Sequence, residues 1–131
     1  AEESPAEGKI VATAQNWRTI SNYIHQKCME KMEIEQGTLT ELLFLGLAMG
    51  GEKEGVMNEL KKLWRDGSTE EGYKKLAMEM ADVLLYMDHM LSLMGLSASQ
   101  IMIMKVQENA VRPDFEPFRK GLLEALAKEM N

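Results

Sequence analysis

The placement of proline constrains this chain more than any other feature. Its three prolines are residues 5, 113 and 117, so the stretch from residue 6 to residue 112 lacks the residue that most strongly breaks a helix. Within that stretch apolar residues recur at spacings of three and four, which is the period of an α-helix, and they do not alternate as in a strand. The pattern predicts an all-α fold. A length of 131 residues, 45% of them apolar, predicts one domain with its own core.

Turn and capping signals divide the chain into a flexible tail over residues 1–8 and five helices. Four of the predicted helices cover residues 10–35, 39–64, 69–94 and 115–130, and the fourth in chain order is capped by Ser97 or Ser99 and ends near residue 109. Two capping boxes, Thr38-x-x-Glu41 and Ser68-x-x-Glu71, are expected to begin the second and third helices, because each places a hydroxyl and a carboxylate beside free amide groups. We expect a four- to five-helix bundle over residues 9–113 and a helical extension over 114–131.

The first half of the second predicted helix, residues 39–49, is apolar on nearly every side. A helix of that kind needs packing partners all round, and four or five helices of one chain can scarcely supply them. We therefore expect a homodimer in which the second subunit completes the core.

Charge and cysteine content exclude several classes of protein. Fifteen basic against 21 acidic residues give a net charge of −6, which is the wrong sign for binding nucleic acid through its phosphates. The single cysteine, Cys28, has no partner in the chain for a disulfide and no neighbours at zinc-ligand spacing, so we expect a reducing compartment, the cytoplasm. No apolar run approaches the length of a membrane span, and the acidic start is unlike a signal peptide. We expect neither a nucleic-acid nor a membrane partner.

Two acidic residues fall on a helical face that should otherwise be apolar. Glu79 and Asp82 are three residues apart, so their carboxylates stand side by side one turn apart, and Tyr86 continues the same stripe. Adjacent carboxylates repel each other unless a cation lies between them. Mg²⁺ suits such a place, because it prefers hard oxygen ligands and is typically held by a few carboxylates and substrate phosphates. The alternative is a solvated acidic face, which the spacing taken alone favours.

Three blocks of sequence extend this pattern. They are LGLAMGGE at residues 45–52, EMADVLLY at residues 79–86, and K-x-x-x-N-x-x-R-P at residues 105–113. In this order they resemble the first metal-binding helix, the second metal-binding helix and the phosphate-side signature of the MazG-like all-α nucleoside triphosphate pyrophosphohydrolases. The resemblance covers roughly residues 38–113.

This resemblance implies a fold of the MazG-like type and Mg²⁺-dependent cleavage of (deoxy)nucleoside triphosphates to the monophosphate and pyrophosphate. It implies that Glu52, Glu79 and Asp82 bind the metal and carry the catalysis. It also implies nucleotide-pool cleansing with dCTP-like substrates, and a homodimer that pairs further into a tetramer in some relatives.

The resemblance further implies that Lys105, Asn109 and Arg112 bind the triphosphate. The two cations would stabilise charge on the phosphate oxygens, and the amide of Asn109 would donate to them. For Lys105 or Arg112 taken alone, a solvated side chain that compensates the helix dipole at its C-terminal end is the better explanation.

Gly55 departs from the family pattern. The family's first acidic pair is E-x-x-E, whereas here Glu52 is followed three residues later by a glycine, which offers no ligand. Glu54 lies about 100° round the helix from Glu52, and Glu59 lies roughly 10 Å along it, so either would substitute only in part. The other alternative is a non-catalytic nucleotide-binding or assembly module that lost its activity through Gly55.

Aromatic residues are the candidates for holding a nucleobase by stacking. Tyr86 is the first choice, since it lies one turn beyond Asp82, and Trp17 and Trp64 are alternatives that core or interface packing explains equally well. His25 with Cys28 is interpreted as a chance spacing, and His89 as a partly exposed helix residue.

Overall fold

The computed structural model describes residues 9–131, which are helical with no strand. The elements are α1 (Trp17–Lys31), α2 (Leu39–Asp66), α3 (Glu70–Leu93), α4 (Ala98–Ala110), a 3-10 helix (Pro113–Phe118) and α5 (Arg119–Met130). The prediction of an all-α chain is therefore confirmed over these residues. The predicted tail at residues 1–8 lies outside the described part.

Helix α1 begins seven residues later than predicted. The backbone amide of Thr13 donates to the side-chain carbonyl of Asn16, and the amide of Asn16 donates to the Thr13 hydroxyl over 3.3 Å. These local side-chain bonds offer the backbone an alternative to the helix, and so they hold a turn directly before Trp17. The apolar spacing of residues 10–16 carries no sign of that competition.

In the first capping box, the predicted role of the Thr38 hydroxyl is confirmed. The Thr38 hydroxyl accepts from the amide of Glu41 over 3.4 Å at the start of α2. The Glu41 carboxylate, however, accepts from the amide of Gly37 and not from that of Thr38. Gly37 has a φ of +75°, a conformation that glycine adopts at little cost, and this brings its amide within reach.

For the second capping box, the predicted capping residue is wrong by one position. Thr69, not Ser68, caps α3, because the Thr69 hydroxyl accepts from the amide of Gly72 over 2.9 Å. The Ser68 hydroxyl instead accepts from the phenol of Tyr73. Both hydroxyl residues stand beside the break in the apolar pattern, and the pattern does not distinguish them.

The described chain forms two compact units, one up to Leu93 and one from Met94 to the end. In the first unit α2 and α3 pack along each other as a helical hairpin joined at Gly67, and α1 also belongs to it. In the second unit α5 packs on the 3-10 helix. The predicted domain boundary at residue 113 stays a prediction.

Within one chain, residues 39–49 of α2 are buried only in part. Leu45 is fully buried, but Leu39, Leu43 and Leu47 are 69%, 61% and 79% exposed. These three leucines, here named the leucine stripe, follow each other at four-residue spacing along one side of α2. The homodimer stays a prediction. No helix among residues 9–131 has the length and apolarity needed to cross a bilayer.

Candidate functional site

Three carboxylates from two helices come together in the first unit. Glu52 on α2 and Glu79 and Asp82 on α3 each offer an oxygen, and these oxygens lie within 4.8 Å of one another. Glu79 and Asp82 are neighbours because they are one helical turn apart, and the hairpin brings α2 against that face. We name these three residues the acidic cluster.

The chemistry of the acidic cluster suits a hard divalent cation. None of its three carboxylates has an ion pair with lysine, arginine or histidine among residues 9–131. Three like charges at this separation repel each other, and Glu52 and Glu79 are half-buried, so water screens the repulsion only in part. A cation with oxygen ligands would relieve it.

Gly55 lies directly against the acidic cluster. A β-carbon at this position would overlap a carboxylate oxygen of Glu79 and stand 3.0 Å from its Cδ. The Glu79 side chain therefore occupies the space that any side chain at residue 55 would need. Gly55 thus lacks the carboxylate expected at this position, but its missing side chain makes room for the carboxylate of Glu79.

The two proposed substitutes for the missing glutamate do not reach the acidic cluster. Glu59 accepts from Lys62 Nζ over 3.1 Å and lines a separate cavity of about 190 Å³ beside the α2–α3 turn. Glu54 is exposed on α2, which continues as a regular helix through this position, so the local unwinding that Glu54 would require does not occur.

A cavity of about 460 Å³ adjoins the acidic cluster within the first unit. Glu52 and Asp82 form its acidic edge. The rest of its wall is mainly apolar and aromatic and includes Trp17, Ile20, Ile24, Cys28, Met29, Met32, Phe44, Leu85 and Tyr86. A cavity of this size with a few polar groups at one edge is typical of a site for a small molecule.

Two of the three predicted aromatic residues line this cavity. Burial raises the pKa of Tyr86, and the negative charges of Glu52 and Asp82 raise it further. Trp17 lines the cavity from α1, where the Arg18 guanidinium lies 5.4 Å from its ring centre. Trp64 is 88% exposed and does not line this cavity, and its role in holding a base stays a prediction.

Sequence reasoning missed a polar network that joins α1 to α2 and α3. The rings of His25 and His89 are stacked with centroids 4.4 Å apart, and Nε2 of His25 donates to Glu41 over 2.8 Å. His89 is 8% exposed, which corrects its interpretation as a partly exposed residue. Its Nδ1 donates to the side-chain carbonyl oxygen of Asn22, and its Nε2 shares a hydrogen bond with the Ser21 hydroxyl, each over 3.2 Å.

Arg18 and Asp88 complete this network. The guanidinium of Arg18 donates two hydrogen bonds to the Asp88 carboxylate, which is nearly fully buried. The sequence carries one signal of the network, a polar stripe on α1 formed by Arg18, Ser21, Asn22 and His25 at helical spacing beside the apolar one.

The three residues predicted to bind phosphate lie in the second unit. Lys105 and Asn109 are exposed on α4, and Arg112 follows it. Lys105 Nζ contacts Glu108 over 3.1 Å, and the Arg112 guanidinium donates two hydrogen bonds to Asp114. Their predicted role stays a prediction.

Protein-family models, curated proteins and solved structures were compared with the chain, and none matches it. A functional conclusion therefore has to come from the residues themselves. The residues that carry it are the acidic cluster, Gly55 and the aromatic cavity.

Proposed function

We propose that this protein hydrolyses (deoxy)nucleoside triphosphates to the monophosphate and pyrophosphate in a Mg²⁺-dependent reaction. The observation that carries the proposal is the meeting of Glu52, Glu79 and Asp82 at the edge of an aromatic cavity. It supports the MazG-like resemblance, in which acids from two helices act together. Homodimerisation, a cytoplasmic location and cleansing of the nucleotide pool, with dCTP-like substrates favoured, belong to the same proposal.

The acidic cluster would hold the metal ion, since its carboxylates are free of basic partners within the described chain. Bound there, Mg²⁺ would neutralise the triphosphate, orient it and lower the pKa of a water that attacks phosphorus. The chain positions the rest of the substrate. Tyr86 and Trp17 offer ring faces on which a base can stack, and the apolar wall excludes water from it.

In this proposal Lys105, Asn109 and Arg112 bind the phosphates that the reaction cleaves. Only the resemblance supports this part. Lys105 and Arg112 are engaged with Glu108 and Asp114, so binding a phosphate requires each cation to exchange a carboxylate for it. Those ion pairs are solvent-exposed and therefore cost little to open.

A second candidate is a nucleotide-binding module without catalytic activity. Gly55 favours this candidate, because the position offers no carboxylate and the Glu79 side chain occupies the space that a side chain there would fill. Three acids can still hold a cation and its triphosphate. The missing fourth acid would then limit turnover and not binding.

Pyrophosphate release from each of the four common dNTPs, with and without Mg²⁺, tests the proposal. We expect metal-dependent release that Glu79→Gln and Asp82→Asn each abolish, while Glu54→Gln, an exposed acid on α2, retains it. Calorimetry with a non-hydrolysable dNTP separates the two candidates. Binding without turnover supports the second, and the absence of both rejects both.

A further inference from the structure

The attachment of α1 is unusually polar for a helix that forms one wall of a cavity. Met29 is its one buried residue, while Tyr23, Ile24 and Met32 remain 62%, 56% and 45% exposed. What joins α1 to the hairpin, besides Met29, is the polar network centred on His25 and His89. The histidines therefore help to hold α1 in place, together with the Arg18–Asp88 ion pair.

The two stacked rings are the only histidines of the chain. A histidine changes its charge between about pH 5 and 8, unlike the other side chains at their usual pKa values. Two neutral rings, or one neutral and one charged, can stack at 4.4 Å, but two charged rings at this distance repel each other. A charge on the His25 ring therefore opposes the addition of a proton to His89.

The groups that face His89 offer it no free carboxylate. From α1 it meets Ser21, Asn22 and the His25 ring, and its two ring nitrogens lie within hydrogen-bond distance of the Ser21 hydroxyl and the Asn22 side-chain carbonyl oxygen. The nearest carboxylates, Asp88 on α3 and Glu41 on α2, are already bound to Arg18 and His25.

We propose that the stacked His25–His89 pair is a pH-sensitive latch, which holds α1 against α2 and α3 and releases it when His89 gains a proton. Release would remove the wall that Trp17, Ile20 and Ile24 give to the cavity. Any ligand of that cavity would then bind at neutral pH and leave on mild acidification. The latch does not depend on the proposed hydrolysis, since it concerns the cavity wall alone.

The direction of the pH effect follows from His89. Burial, and then the charge of His25, lower the pKa of His89 below its ordinary value of 6.5, and the opposing effects of Asp88 and Glu41 are smaller. The packed state therefore binds this proton more weakly than the released state does. Its stability is complete above pH 6.5 and falls as the pH is lowered through that value.

Hydrogen–deuterium exchange of the full-length protein, corrected for the intrinsic effect of pH on exchange, tests the latch between pH 7.5 and pH 5. We expect the amides of α1 to lose at least tenfold in protection below pH 6.5, reversibly, while the centres of α2 and α3 keep theirs. A Trp64→Phe background leaves Trp17 as the single tryptophan, so its fluorescence should report the same transition.

Two variants decide the outcome. His89→Gln, which keeps a donor and an acceptor but cannot gain a charge, should lose the transition, and His25→Gln should move its midpoint to higher pH. A transition that persists in His89→Gln, or a loss of protection in all three helices together, overturns the latch. If His89→Gln does not fold, the direction of the His25→Gln shift decides, and an unchanged or lower midpoint rejects the proposal.

Discussion

Gly55 and Glu79 share one space between α2 and α3. A β-carbon at residue 55 would overlap the Glu79 carboxylate, so the position of this ligand depends on the absence of a side chain across from it. The choice of residue at position 55 and the position of the Glu79 carboxylate are therefore coupled. A substitution at Gly55 changes the acidic cluster even when the new residue offers no ligand.

Gly55→Ala should separate stability from metal binding. Alanine in the interior of a helix is favoured over glycine by about 0.5–1 kcal/mol, and the overlapping carboxylate is the end of a flexible side chain that can swing away. We expect an unchanged or higher melting temperature together with weaker Mg²⁺ binding by calorimetry. The control is Gly50→Ala on the same helix, where a β-carbon meets nothing within 4 Å, and which should gain stability without losing affinity.

Removing one charge from the acidic cluster should stabilise the metal-free protein. Glu79→Gln relieves a repulsion between carboxylates within 4.8 Å, which we expect to raise the free energy of unfolding by about 1 kcal/mol in the presence of EDTA. Saturating Mg²⁺ should stabilise the wild type, by about 2.7 kcal/mol at roughly 100 times Kd, and the variant much less. Urea unfolding with and without Mg²⁺ measures both effects. A Mg²⁺ response retained in Glu79→Gln would place the ion elsewhere.

The part of the site that follows from local geometry could be predicted from the sequence. Glu79, Asp82 and Tyr86 share a helix face because the helical period fixes it. The prediction of Glu52 rested on the resemblance alone, and the hairpin brings this residue to the other two acids.

The His25–His89 stack and the clash of Gly55 with Glu79 could not be predicted in this way. Both depend on the rotation and depth at which one helix packs on another, which no spacing within either helix records.

Ionisation of Tyr86 should report the charge of the acidic cluster. Burial and the charges of Glu52 and Asp82 hold the pKa of Tyr86 above its ordinary value of 10.0. Glu52→Gln should lower this pKa while burial still keeps it above 10.0, as followed by the tyrosinate absorbance near 295 nm. Because the folded protein holds this proton more tightly, the group favours folding below pH 10 and loses that contribution as the pH rises further. Tyr86→Phe identifies the transition among the three tyrosines of the chain.

The leucine stripe on α2 should determine the oligomeric state. We expect sedimentation of the wild type at about twice the chain mass of 14.8 kDa, because burying the stripe against a second copy removes apolar surface from water. Leu47→Glu, at the most exposed of its three leucines, should sediment as a monomer. Leu123→Glu, the same change at an exposed leucine of α5, should leave the dimer intact. A monomeric wild type contradicts the prediction directly.

Removing Arg18 alone should destabilise the protein strongly, whereas replacing both Arg18 and Asp88 by apolar residues should change its free energy of unfolding little. Arg18→Met leaves a carboxylate whose side chain is 7% exposed without its cation, and we expect a loss of about 3 kcal/mol in the free energy of unfolding. Arg18→Met combined with Asp88→Leu removes the buried charge as well, and should recover most of that loss. The urea midpoints of the two variants and the wild type measure the difference. If the double variant is less stable than Arg18→Met alone, the pair contributes to α1 packing through its hydrogen-bond geometry and not through neutralisation of a buried charge.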